Sequence, residues 1–143
     1  LDEALLEIME RLTELDIAAA HTRWGAVRES LLAHRACEDG GVHQRYAELG
    51  ERPRGAAPEL FLTDHVTLER LAGVCEEVIV ALGSPSSPLR RQVVLALPHF
   101  YRLRNLLEHH TLREQRFFYP ALDEHLSDEE RAGFIEELAA TAL

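Results

Sequence analysis

Little in this chain of 143 residues speaks for disulfides, membrane spans or a basic surface. Two cysteines, Cys37 and Cys75, are too few for a disulfide framework, and point to a reducing, cytoplasmic setting. No apolar run approaches the roughly 18 uninterrupted residues that a membrane-spanning helix needs. Lysine and arginine number 15 against 25 acidic residues, a net charge of −10, which argues against nucleic acid or an anionic membrane as partner. Alternating runs of β-branched residues are also missing, so strands leave no signal.

What the chain does have is helical periodicity. Leu89, Val93, Ala96, Phe100, Leu103, Leu107, His110, Glu114, Phe117 and Ala121 recur in alternating steps of four and three. Ile17, Ala20, Trp24, Val27, Leu31, His34 and Glu38 repeat the pattern earlier, and Phe61, His65, Leu68, Ala72, Cys75, Ile79 and Leu82 between them. Leu1, Leu5, Ile8, Leu12 and Leu15 form a fourth stripe. Asp16 suits an N-cap, Gly40 and Gly41 weaken the second helix, residues 50–58 form a loop, and residues 83–88 are the clearest linker. Pro120 marks an end or kink, and Ser127 to Glu130 opens a short terminal helix with a capping box. The expected fold is all-α: one domain over 1–143, an antiparallel up-down-up-down four-helix bundle with a short extra C-terminal helix. Its two halves read as a weak repeat.

Polar residues on the inward stripes are costly to bury unless something satisfies them. The spacing His-x-x-x-Glu puts both side chains on one helix face. Composition alone gives about 1.4 such acidic pairs, so the motif needs a second criterion. Four pairs occur: His34/Glu38, His65/Glu69, His110/Glu114 and His125/Glu129. Both members lie on a stripe only for His34/Glu38 and His110/Glu114; His65 does so without Glu69. His21, His43, His99 and His109 miss their stripes and read as surface histidines. Tyr46, Tyr101 and Tyr119 miss theirs too. His34 and His110 each lie 17 residues after an early stripe position, Ile17 and Val93, and His65 lies 17 before Leu82. At the α-helical rise all three share a layer roughly 25 Å from one end. His34, Glu38, His65, His110 and Glu114 are therefore the candidate metal ligands. Imidazole and carboxylate suit iron, manganese or zinc. The competing reading is a buried polar layer that sets helix register without metal.

Three segments carry a family resemblance: His34-Arg35-Ala36-Cys37-Glu38, Asp64-His65-Val66-Thr67-Leu68, and His110-Thr111-Leu112-Arg113-Glu114-Gln115-Arg116-Phe117-Phe118-Tyr119-Pro120. With Leu126-Ser127-Asp128-Glu129-Glu130-Arg131 behind them, the chain resembles the hemerythrin family in its HHE cation-binding form. The resemblance implies two iron ions bridged by Glu38 and Glu114, and a small oxidant (dioxygen, nitric oxide or peroxide) as ligand. Alternatives on the same centre are a catalase-like or nitric-oxide-handling oxidoreductase and an iron-responsive regulatory module without turnover. The family also takes a histidine from its first helix, which falls three positions before Leu1. The expectation is thus a chain cut just after its first ligand, with metal held weakly or not at all; Asp2 and Glu3 are off-stripe substitutes. Gly41, standing where the last helix has Phe117, removes a ring from beside the site, which either opens a channel or accommodates a bulky neighbour.

Overall fold

The computed structural model describes residues 1–50 and 52–141, which are helical with no strand among them. Helix α1 covers Asp2–Thr13 and buries Ala4, Leu5, Ile8 and Leu12. It ends on Leu15 in the left-handed region (φ 65°), with the Asp16 amide bonded back to the Arg11 carbonyl at 2.9 Å. Asp16 then caps α2, Ile17–Cys37, by accepting from the Ala19 amide at 3.1 Å. A π turn, Glu38–Val42, joins α2 to the short α3, His43–Glu48. Helix α4 starts at Pro58, where a missing N–H costs nothing, and runs to Leu82. Helix α5, Leu89–Arg113, enters a second π turn, Glu114–Phe118, and continues as α6, Tyr119–His125. Helix α7, Asp128–Thr141, opens with a reciprocal capping box between Ser127 and Glu130. No helix among the described residues is long and apolar enough to cross a membrane.

Helix α1 packs on α2 and α5, and α4 packs on the same two helices. The stripes meet in a core where Trp24 and Phe100 lie edge to face with centroids 5.8 Å apart. The Trp24 indole donates to Glu76, so its one polar atom is satisfied. A second, smaller core gathers Tyr46, Phe61, Phe118 and Leu122, with Phe134 of α7 against it. Apart from Ser30, the buried polar side chains named among the described residues are Glu38, His43, His65, His110 and Glu114.

The two π turns correct the stripe reading. Each inserts one extra residue immediately after the glutamate of a His-x-x-x-Glu pair, so every later side chain shifts by one. Phe118 and Leu122 are buried in place of Phe117 and Ala121, which are only half-buried. His43 and Tyr46, expected on the surface, are buried as well. Of the two readings of Pro120, an end or a kink, the second holds: Pro120 sits in the first turn of α6, just past the turn that has already broken the α-helical ladder. Gly41 removes no ring from the site: it is exposed, and its φ of 147° bends the first turn.

Candidate metal centre

Five sequence-derived candidates converge from three helices. His34 and Glu38 come from the end of α2, His65 from α4, and His110 and Glu114 from the end of α5. His34 Nε2 stands 3.6 Å from Oε1 of both Glu38 and Glu114. His110 Nε2 lies 2.7 Å from Glu114 Oε1, and His65 Nε2 lies 3.2 Å from Glu38 Oε2. The glutamates, His65 and His110 are buried, while His34 is half-buried. Glu69 turns away and pairs with Arg35 on the surface.

The outer faces of two rings fix which nitrogens point inward. Asp39 is held below the usual carboxylate range, because His65 and Arg35 outweigh the upward push of its partial burial. It is therefore an acceptor, and His65 Nδ1–H donates to its Oδ1 at 2.9 Å. His110 Nδ1 faces Asp64 Oδ2 at 3.4 Å, and Arg113 clamps the same oxygen at 2.6 Å. With their protons on Nδ1, both rings aim a bare Nε2 inward, and these two atoms are 3.2 Å apart. At that distance a proton shared between the two Nε2 atoms, or a bound cation, satisfies both. A carboxylate behind each ring is the arrangement that orients metal-binding histidines.

Without metal, protons must fill that role. Burial pushes His34 and His65 down, but hydrogen bonds and charges from Glu114 and Glu38 for the first, and from Glu38 and Asp39 for the second, outweigh it and hold both above the ordinary histidine value. The glutamates split: burial, with Glu114 nearby, raises Glu38, while His110 and His34 overcome burial and draw Glu114 far down. Even so, Glu38 Oε2, Glu114 Oε1 and both nitrogens of His43 lack a properly oriented hydrogen-bond partner among the described residues. Such orphaned buried atoms are rare in folded proteins, and a water or an ion among them would satisfy them. The buried His/Glu cluster can hold a metal ion: the donor atoms of His34, Glu38, His110 and Glu114 lie within 4.8 Å of one another, and so do those of Glu38, His43 and His65. All are imidazole or carboxylate, a set suited to first-row divalent metals.

Four contributors escaped the stripe criterion. His43 and Tyr119 each lie five residues after a glutamate, and their amides donate to the carbonyls of Glu38 and Glu114 across the π turns. The Tyr119 hydroxyl donates to Glu38 Oε1 at 3.0 Å; burial and the two glutamate charges push its pKa far up, so it stays protonated. Asp39 and Asp64 act from behind the rings. The usable signal was the spacing of five after each glutamate.

One cavity of about 230 Å³ reaches the cluster, running between α2 and α4. Apolar residues such as Leu31, Leu68 and Ala72 line it together with Arg28, Arg35 and Glu69, and His34 and His65 of the cluster border it. It lies away from Gly41. Comparison with family models, curated proteins and solved structures finds no match to this chain.

Proposed function

We propose that the chain is a hemerythrin-like di-iron protein that binds a small oxidant, dioxygen, nitric oxide or peroxide, at this centre. The observation behind the reading is the convergence of ring nitrogens and carboxylate oxygens into two candidate groups with Glu38 in common. A carboxylate shared by two cations offsets the charge of both. Bound iron would supply one- or two-electron exchange with the small molecule. His34, His65, His110, Glu38 and Glu114 would hold the metals, Glu38 being the residue common to both groups. Leu31, Leu107 and Phe118, all buried, supply apolar surroundings on the core sides of the cluster. The cavity between α2 and α4 is smaller than the roughly 300 Å³ at which drug-sized sites begin, so it suits a ligand of a few atoms.

The proposed scaffold is an antiparallel up-down-up-down four-helix bundle of α1, α2 with α3, α4, and α5 with α6, with α7 the short extra helix. The closed ring of contacts α1–α2–α4–α5–α1 supports it, as do the short connections at residues 14–16 and 83–88. A cytoplasmic setting without nucleic-acid or membrane partners belongs to the same proposal.

Anaerobic loading with ferrous ion, followed by air or nitric oxide, tests it. Charge-transfer absorption in the visible or near ultraviolet should appear in proportion to iron and vanish in His110→Ala. Iron-loaded protein that stays colourless would refute small-oxidant binding; failure to retain iron at all would refute the metal site. One observation favours turnover as a second reading: the half-buried Tyr119 hydroxyl is hydrogen-bonded to Glu38 beside the centre. Peroxide consumption that follows iron content and disappears in Glu114→Ala would select that reading.

A further inference from the structure

His43 is nine-tenths buried, at 4% exposure, and sits in a nest of rings: its centroid is 5.1 Å from that of Phe118, 6.0 Å from that of Phe61 and 5.0 Å from that of His65. Such surroundings suit a phenylalanine or leucine. An imidazole there leaves both ring nitrogens buried without partners among the described residues, which is costly. Its Nε2 is not turned toward the rings. It stands 3.9 Å from Glu38 Oε2 and 3.7 Å from Asp39 Oδ1, too far to bond either oxygen, and converges with Glu38 and His65 on one point.

The backbone makes this convergence possible. At about 100° per residue, a side chain five positions after Glu38 would point about 140° away from it. The π turn removes that offset, because the His43 amide bonds the Glu38 carbonyl and sets residue 43 over residue 38. Gly41, at φ 147°, takes up the bend in a conformation that a side-chain-bearing residue rarely adopts.

We propose that His43 is a metal ligand, completing with Glu38 and His65 a second cation position that shares Glu38 with the position formed by His34, His110 and Glu114. The proposal rests on the metal-binding reading above and adds a ligand, delivered by the Gly40–Gly41 turn, that the His-x-x-x-Glu pairs do not contain. Asp39 serves this second position from behind, orienting His65 and lying beside His43.

Cobalt(II), loaded anaerobically into the whole chain, is the probe; the readouts are cobalt per chain after desalting and the visible ligand-field spectrum. The parent should retain two cobalt ions. His43→Asn and His43→Gln should retain one, with the second binding at least about tenfold more weakly. His21→Asn on the exposed surface should retain two. Long-range ¹H–¹⁵N spectra of the parent need no variant: the His43 ring nitrogens should shift with the second equivalent of zinc. Two tightly held cobalt ions in a folded His43 variant, one ion in the parent, or unmoved His43 ring signals would each overturn the assignment and leave the first position standing. A parent that retains no metal would overturn the metal site itself.

Discussion

Laid over each other at a constant offset of 76 positions (110 − 34), the two halves of the molecule agree almost residue for residue on their buried face. Trp24 matches Phe100, Val27 Leu103, Leu31 Leu107, His34 His110, Glu38 Glu114, and Tyr46 Leu122. Each half departs from α-helical geometry at the same place, immediately after its glutamate. The turns themselves are built differently. The first contains Gly40 and Gly41 and bends through a positive φ; the second contains Arg116 and Phe117 with no glycine, and is followed at once by Pro120. Glycine is therefore not what makes a π turn here. What the halves share is a buried glutamate whose carbonyl accepts from the amide five residues on. The residue at that amide is where they diverge: the first half presents an imidazole, the second a phenol hydrogen-bonded to Glu38. An identical backbone device thus offers a donor nitrogen on one side and a proton-bearing hydroxyl on the other.

The strongest way to break the symmetry is to remove one matched histidine at a time. His110→Ala should cost the cation position formed with His34, Glu38 and Glu114, since its ring is buried, backed by Asp64 and faces Glu114; His34→Ala, at the half-buried edge, should weaken that position without abolishing it. Elemental analysis after desalting distinguishes the two. Next in size is metal-linked stability. Ferrous ion at about 100 times its Kd should raise Tm by roughly 5–10 °C, from about 2.7 kcal/mol of linkage. Glu38→Gln and Glu114→Gln should both erase that gain in anaerobic thermal melts, if the carboxylates are equivalent as ligands.

A third comparison sets the turns against each other. Gly41→Ala forces a side chain into φ 147° and should lower stability by about 1–3 kcal/mol in urea unfolding, although nothing lies within 4 Å of the added Cβ. Phe117→Ala, in a turn without positive φ, should cost only its partial burial. The smallest effect concerns the phenol: Tyr119→Phe should keep metal stoichiometry and lose about 1 kcal/mol of stability with the bond to Glu38.

Acidity acts through the same ligands. His34 and His65 have raised pKa values in the metal-free protein, so protons compete with metal above the ordinary histidine range. Their pairing with the carboxylates is fully present below about pH 6.5 and is lost as pH rises through the higher folded values. Metal affinity should run the opposite way, rising with pH through roughly 6 to 8 as the imidazoles lose their protons. Titration of cobalt binding at several pH values measures it.

Up to each glutamate the molecule is legible from its residues. The α2 and α5 stripes, the Asp16 cap, the Pro58 start, the 83–88 linker and the Ser127 capping box all arise from local interactions, which short-range spacing reports. Past each glutamate that rule fails. Phe117, Phe118 and Tyr119 form an unbroken aromatic run that fits either register, and Gly40-Gly41-Val42 carries too little hydrophobic contrast to choose one. Spacing alone consequently places His43 on the surface, and Phe117 in the core that Phe118 fills.

Helical content, the inward stripes and the two His-x-x-x-Glu pairs follow from the order of residues alone, because a helix converts spacing into direction without help from the rest of the chain. Which residues follow the glutamates inward was decided only in three dimensions. There the packing of Phe118 against Tyr46 and Phe61, and the gathering of unpartnered nitrogen and oxygen atoms between two apolar cores, select a turn of five residues over one of four.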